Sequence, residues 1–175
     1  MKTNSNSYTI VYSVILVLIV AFLLAFVFQA LKPMQDANVQ LDQQKQILFA
    51  LNQDRNMTNE QAVQLWKKII IADDVINADG KVTEAGKQGG VDAGFKLTSK
   101  DAKEGKQALY RCKVNGEDKY VIPVYGNGLW GPINGFIAIN GDKQTVFGAY
   151  FNHESETAGL GAEIKDNASW QAKFK

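Results

Sequence analysis

A single cysteine, Cys112, has no partner for an internal disulfide, and with a single histidine, His153, it cannot complete the four-ligand set of a structural zinc site. Stability must therefore come from burial. An excess of either charge is also lacking: 19 lysines and arginines stand against 18 aspartates and glutamates. With no net field toward polyanions, no nucleic-acid partner is expected. Nucleophile and nucleotide signatures are missing too, since no G-x-S-x-G, Walker lysine or strand-to-helix G-x-G-x-x-G occurs, and Cys112 lies in strand-like sequence. His153 with Glu154 or Glu156 could suggest a hydrolase, but nothing accompanies them as nucleophile. No catalytic residue and no metal ligand set is assigned.

What the chain does have is a long apolar run near its start. Ile10 to Phe28 reads IVYSVILVLIVAFLLAFVF, with Ser13 as its one polar residue and no charge. At about 1.5 Å per residue such a run covers roughly 28 Å, close to the thickness of a bilayer's hydrocarbon core. It is apolar all round, whereas a helix on a soluble core keeps a polar stripe. It exceeds a signal peptide's apolar region, and no small-x-small cleavage site follows, so an uncleaved single span in the lipid bilayer is expected. Tyr8 and Tyr12 suit one interface, and Lys32 and Pro33 close the other. Lys2 and the free amine precede the span without acidic neighbours, and Asp36 and Asp42 follow it. This places the N-terminus inside and the remainder outside.

The 175 residues hold one ordinary domain beside that anchor. The expected organisation is a tail and transmembrane anchor over 1–33, a stalk helix and linker over 34–56, and one domain over 57–175. Met34, Ala37, Leu41, Leu48 and Leu51 form a helical stripe, broken at NQDRN. Thr58 with Gln61 reads as a capping box opening a helix over Thr58 to Ile71, with Ala62, Leu65, Trp66 and Ile69 as its apolar face. ADDVINADGKV invites a calcium-loop reading, but the register would put Val75 and Gly86 at ligand positions, so a solvated turn at Asp79 and Gly80 is expected. Lys87 to Gly105 reads as loop with room for one strand. ALYRCKV and EDKYVIPVY flank Asn115-Gly116, and NGFIAI and TVFGAYF flank NGDKQ with Asn140-Gly141 at the bend, so two antiparallel hairpins follow. Helices first and strands later, without βαβ alternation, predict an α+β fold.

Two glycine-rich stretches remain. YGNGLWGPING, Tyr125 to Gly135, carries four glycines and Trp130, and reads as a wide connection between the hairpins. Its backbone could approach a flat aromatic ligand or a phosphate, or Trp130 could plug the core. FNHESETAGLGAE, Phe151 to Glu163, follows a strand directly, and Gly159 and Gly161 bracket Leu160, an apolar side chain presented from a tight bend.

The pair GNGLWGP and HESETAGLGAEI, with an N-terminal anchor before them and WQAKFK after, resembles the C subunits of the Na⁺-translocating NADH:quinone oxidoreductase, membrane-anchored flavoproteins of the FMN-binding domain family. The similarity runs over nearly the whole chain, including LKPMQDANVQLDQQKQIL after the span. The resemblance implies an FMN-carrying electron-transfer subunit with other members of the complex as partners, in a bacterial inner membrane with its soluble domain on the periplasmic side. It also implies that Gly128, Leu129, Trp130 and Gly131 and the segment Glu156, Thr157, Gly159, Leu160 and Gly161 lie near the flavin. Thr157 and nearby backbone would hydrogen-bond it, Leu160 and Trp130 would pack on its ring, and Glu156 would tune it electrostatically.

Two features depart from the family pattern. Ala158 stands where members have proline, which loosens the turn. The family joins FMN through its phosphate to the last threonine of an S-G-A-T type motif near the C-terminus, and no such motif occurs here. The expectation is a member lacking its C-terminal part. The G subunit of the Rnf electron-transport complex shares an HxETPGLG-like segment, but GLWG fits the quinone-reductase subunit better. A membrane-tethered scaffold without redox activity is the alternative from another class.

Overall fold

A computed structural model describes residues 5–174; Lys2, on which the expected orientation leans, lies outside them. Helix α1 spans Asn6–Ala50, and two units are distinguished, one ending at Gln40 and one beginning at Leu41. In the first unit the apolar side chains from Ile10 to Phe28 are exposed on every side, and none of the apolar window is buried. That is the solvation pattern of a lipid-facing helix. Pro33 sits inside α1 and does not end it. The ring removes one backbone donor, and the helix continues past that missing bond.

In the second unit the last turns of α1 enter a core, with Ile47, Leu48, Ala50 and then Leu51 fully buried. The helix ends at Ala50, and the chain turns at Leu51 and Asn52, where the expected break begins. Asn52 takes a left-handed φ of 57°, while Gln53 N–H returns to the Leu48 carbonyl and Asn52 N–H to that of Phe49. These two bonds satisfy carbonyls that the helix end would otherwise leave bare. Helix α2, Asn59–Ile69, starts as the sequence predicts: Thr58 Oγ1 accepts from Gln61 N–H, and the Gln61 side chain accepts from Thr58 N–H. It buries Ala62, Trp66 and Ile69. It ends before Ile71 because Ile70 is already extended and opens strand β1, Ile70–Ile76.

Strand β1 adds to the sequence reading, which expects a turn at Asp79 and Gly80 within ADDVINADGKV and no strand before it. Adjacent aspartates are poor strand formers. Here both are buried and satisfied from outside the strand. The turn at Asp79 and Gly80 is present, with Gly80 at φ 74°, and leads to a short edge strand β2, Val82–Glu84. Lys87 to Gly105 holds no strand but a 3₁₀ turn at Gly94–Lys96 and helix α3, Ser99–Lys103.

Strands β3 (Gln107–Val114), β4 (Glu117–Asn127), β5 (Pro132–Asn140) and β6 (Val146–His153) then form a meander, giving one antiparallel sheet in the order β2-β1-β3-β4-β5-β6. Asn115 and Gly116, at φ 52° and 86°, make the expected two-residue turn. At the β5–β6 turn the positive φ falls on Lys143, not on Asn140-Gly141, because the loop runs on to Thr145 and closes through the Thr145 carbonyl to Asn140 N–H. One sheet face, carrying Tyr110, Val121, Ala138 and Tyr150, packs with α2 and the end of α1 around Trp66. The architecture is α+β.

Candidate functional site

The stretch expected as a wide connection is a tight hairpin loop. β4 and β5 stay paired to Asn127 opposite Pro132, and Gly128 N–H closes the loop on the Gly131 carbonyl at 2.8 Å. Four residues thus project beyond the sheet, which leaves Leu129 83% and Trp130 66% exposed. Trp130 does not plug the core.

The second bend leaves β6 at His153. Glu154 N–H donates to the Pro132 carbonyl at 3.2 Å, so the chain follows the end of β5 before it turns. The Thr157 carbonyl accepts from both Leu160 and Ala162 N–H, Gly159 takes φ 71°, and Leu160 is left 72% exposed. The far end of the bend is anchored by helices α4, Glu163–Asp166, and α5, Ala168–Gln171. Gln171 is buried and donates to the Phe151 and Ile164 carbonyls, while Arg55 donates to its Oε1 at 2.6 Å. Phe151, Trp170 and Phe174 pack edge to face at 5.0 to 5.9 Å between ring centres. WQAKF therefore works as the footing of the bend.

The two bends meet. Trp130 N–H donates to Glu156 Oε1 at 3.1 Å, and Gly131 packs on Ser155. Every sequence-predicted site residue from Gly128 to Gly131 and from Glu156 to Gly161 falls in these two loops. The apolar members Leu129, Trp130 and Leu160 are exposed, and Thr157 also faces solvent.

His153 does more than end a strand. Its Nδ1 accepts from Glu156 N–H at 3.2 Å, so the neutral ring carries its proton on Nε2, which is buried without a partner. Asn134 and Asn152 are direct cross-strand partners, and the Oδ1 of each is likewise buried and unpartnered. Asn134 also faces Tyr125 on β4. Burial raises the Tyr125 phenol above its ordinary pKa, and the Asp101 carboxylate adds to the effect. The two asparagines escaped sequence reading because their significance lies in the strand register. Two clefts lie away from the bends, one of about 220 Å³ between Phe49, Arg55, Ala149 and Gln171, the other along α2 beside Met57 and Leu65. The chemistry at the bends, not the concavity of those clefts, identifies the candidate site.

A flat, partly apolar cofactor such as FMN fits the residues present. Three exposed apolar side chains offer contact for a ring, and unpaired polar groups stand at the root of the loops.

Comparison with known proteins agrees with this geometry. The FMN-binding domain family matches residues 128–175, beginning at the first bend. The C subunit of the Na(+)-translocating NADH-quinone reductase of Haemophilus ducreyi is 34% identical, over 98% of this chain and 71% of that protein. The corresponding C subunit of Pseudomonas aeruginosa is 30% identical, over 97% of this chain and 71% of that protein. The crystal structure of the Parabacteroides distasonis C subunit superposes with a TM-score of 0.73 at 32% identity, covering 83% of this chain and 68% of that one. The chain therefore belongs to the family of Na(+)-translocating NADH-quinone reductase C subunits.

Proposed function

We propose that this chain is an FMN-carrying electron-transfer subunit of a membrane Na⁺-translocating NADH:quinone oxidoreductase, a translocase, and that FMN lies against the two joined bends. The observation that supports this most directly is the meeting of the Trp130 and Leu160 loops, with apolar side chains turned outward, in the segment where the FMN-binding domain family matches. The bound flavin would supply reversible electron transfer during NADH oxidation and quinone reduction coupled to sodium export. The chain's own residues supply placement: Leu129, Trp130 and Leu160 as ring contacts, and Thr157 with the backbone of Gly128, Gly131, Gly159 and Gly161 as nearby polar groups. No acid, base or nucleophile is required, in keeping with a site built from glycines and apolar side chains.

The apolar helix anchors the subunit in the bilayer, in our reading in a bacterial inner membrane with the domain on the periplasmic side, beside the other members of the complex. The Rnf reading is not favoured, because the relatives identified belong to the quinone reductase. A threonine-linked flavin is the family expectation, and no S-G-A-T segment occurs within these residues. The test therefore uses free FMN: the purified chain in detergent micelles is titrated while flavin and tryptophan fluorescence are followed. Saturable quenching of both is expected. Flavin emission that stays unchanged at large protein excess would refute the assignment for this chain.

A further inference from the structure

Glu156 occupies space that two glycines leave free. A Cβ on Gly128 would overlap Glu156 Oε1, and one on Gly161 would lie 2.5 Å from Oε2 and 3.1 Å from the Glu156 Cβ. One carboxylate is thus seated against a glycine of each bend. Backbone conformation does not explain these glycines, since positive φ in this region belongs to Gly159, where an added Cβ would meet open space. Oε1 accepts from Trp130 N–H at 3.1 Å, and the backbone of Glu156 is itself held by His153 Nδ1 at 3.2 Å.

We propose that Glu156 is a positioning residue whose carboxylate clamps the Trp130 bend to the Leu160 bend, with Gly128 and Gly161 as its two seats and His153 holding it from behind. The clamp follows from the geometry alone, and its role in flavin binding rests on the function proposed above. A carboxylate committed to a backbone N–H and seated between two glycine backbones acts on a bound ring through where it holds Trp130 and Leu160. A glutamine keeps the acceptor oxygen and nearly the same volume without the charge, whereas an alanine empties both seats and leaves the Trp130 N–H to water.

The test compares the full chain in detergent with Glu156→Ala, Glu156→Gln, Gly128→Ala, Gly161→Ala and the double variant Gly128→Ala/Glu156→Ala. Hydrogen exchange at the Trp130 amide reads the clamp without flavin, and FMN titration reads its consequence. Loss of a charge-assisted bond should weaken FMN binding about tenfold in Glu156→Ala. Exchange at Trp130 should accelerate in that variant, and Glu156→Gln should recover most of both properties. Either glycine substitution should behave like Glu156→Ala, and the double variant should be no worse than Gly128→Ala alone, because the two changes disrupt one contact. Unchanged exchange in Glu156→Ala, or additive losses in the double variant, would overturn the clamp. Restored Trp130 protection in Glu156→Gln without restored FMN affinity would instead assign Glu156 a direct electrostatic role, against the proposal. If the parent chain binds no FMN, the functional reading fails, and the exchange data still decide whether the clamp exists.

Discussion

The buried carboxylate of Asp73 fills the space where a Cβ on Gly90 would lie, and its Oδ2 accepts from the backbone N–H of Ala93 at 3.0 Å and of Phe95 at 3.3 Å. A β1 side chain thereby organises the glycine-rich segment that follows β2, and brings Phe95 edge-on to Trp66 at 5.5 Å. The two backbone N–H groups satisfy this side chain in a region closed to water.

Asp73→Ala should therefore lower the unfolding free energy by about 3 kcal/mol, because two buried N–H groups lose their acceptor. Gly90→Ala should destabilise as well, since the Lys87 carbonyl crowds the same position and cannot rotate away. Urea unfolding followed by near-UV circular dichroism tests both. Stability within about 0.5 kcal/mol of the parent for either variant would contradict the packing described, being the range of a surface substitution.

Asp74, the next residue, faces another partner. Its carboxylate is 1% exposed and pairs with the Arg111 guanidinium on β3, while Gly86 N–H donates to its Oδ1 at 2.8 Å. The arginine side chain is 47% exposed, so water screens the pair in part. Arg111→Met should still cost about 1–3 kcal/mol by leaving a buried carboxylate underpaired. Combining it with Asp74→Asn should recover part of that loss, giving a non-additive cycle in the same unfolding assay. Strict additivity would show that the two side chains act independently.

These two aspartates also show where sequence reading stopped. Periodicity and capping chemistry identify α2, the Asn115-Gly116 hairpin and the apolar span, because each is specified by residues close together in the chain. Strand β1 was hidden because its polar residues are satisfied by Ala93, Phe95 and Arg111, between 20 and 37 positions away, and no local pattern records such partners. The site followed the same rule. Gly159 and Leu160 announce a bend by themselves, whereas the pairing of Asn134 with Asn152, and the seating of Glu156 against Gly128, exist only once β4, β5 and β6 are in register.

The core carries a pH dependence on the alkaline side. Burial raises the Cys112 thiol far above its ordinary pKa, and burial chiefly raises the Tyr110 phenol as well. Both are acids whose neutral form is favoured in the folded state. Their contribution is therefore fully present below the unfolded-state values, about 8.5 for cysteine and about 10 for tyrosine, and is lost as pH rises beyond them toward the folded values. The midpoint of urea unfolding should fall between about pH 8.5 and 11, and Cys112 should resist a thiol reagent until the chain unfolds. Rapid labelling of the native protein at neutral pH would show that the thiol is not enclosed as described.

Trp130 and Leu160 give the most direct probe of the flavin site, since their exposure separates binding from folding. Each side chain projects from its bend with more than half its surface free, so truncation leaves no cavity and should shift unfolding by less than about 0.5 kcal/mol. An aromatic contact is worth about 0.5–1.5 kcal/mol beyond area burial, so Trp130→Ala should weaken FMN binding several-fold, to about tenfold. Leu160→Ala should weaken it to a smaller degree, through lost apolar area alone. The Trp130 variant should also lose part of the tryptophan quenching that accompanies FMN titration; Trp66, enclosed in the core, and Trp170, packed on Phe151 and Phe174, supply the remainder. Equal FMN affinity in the parent and in both variants would place the ring away from these two loops, even if the chain binds flavin. A loss of affinity confined to Leu160→Ala would move it onto the second bend alone.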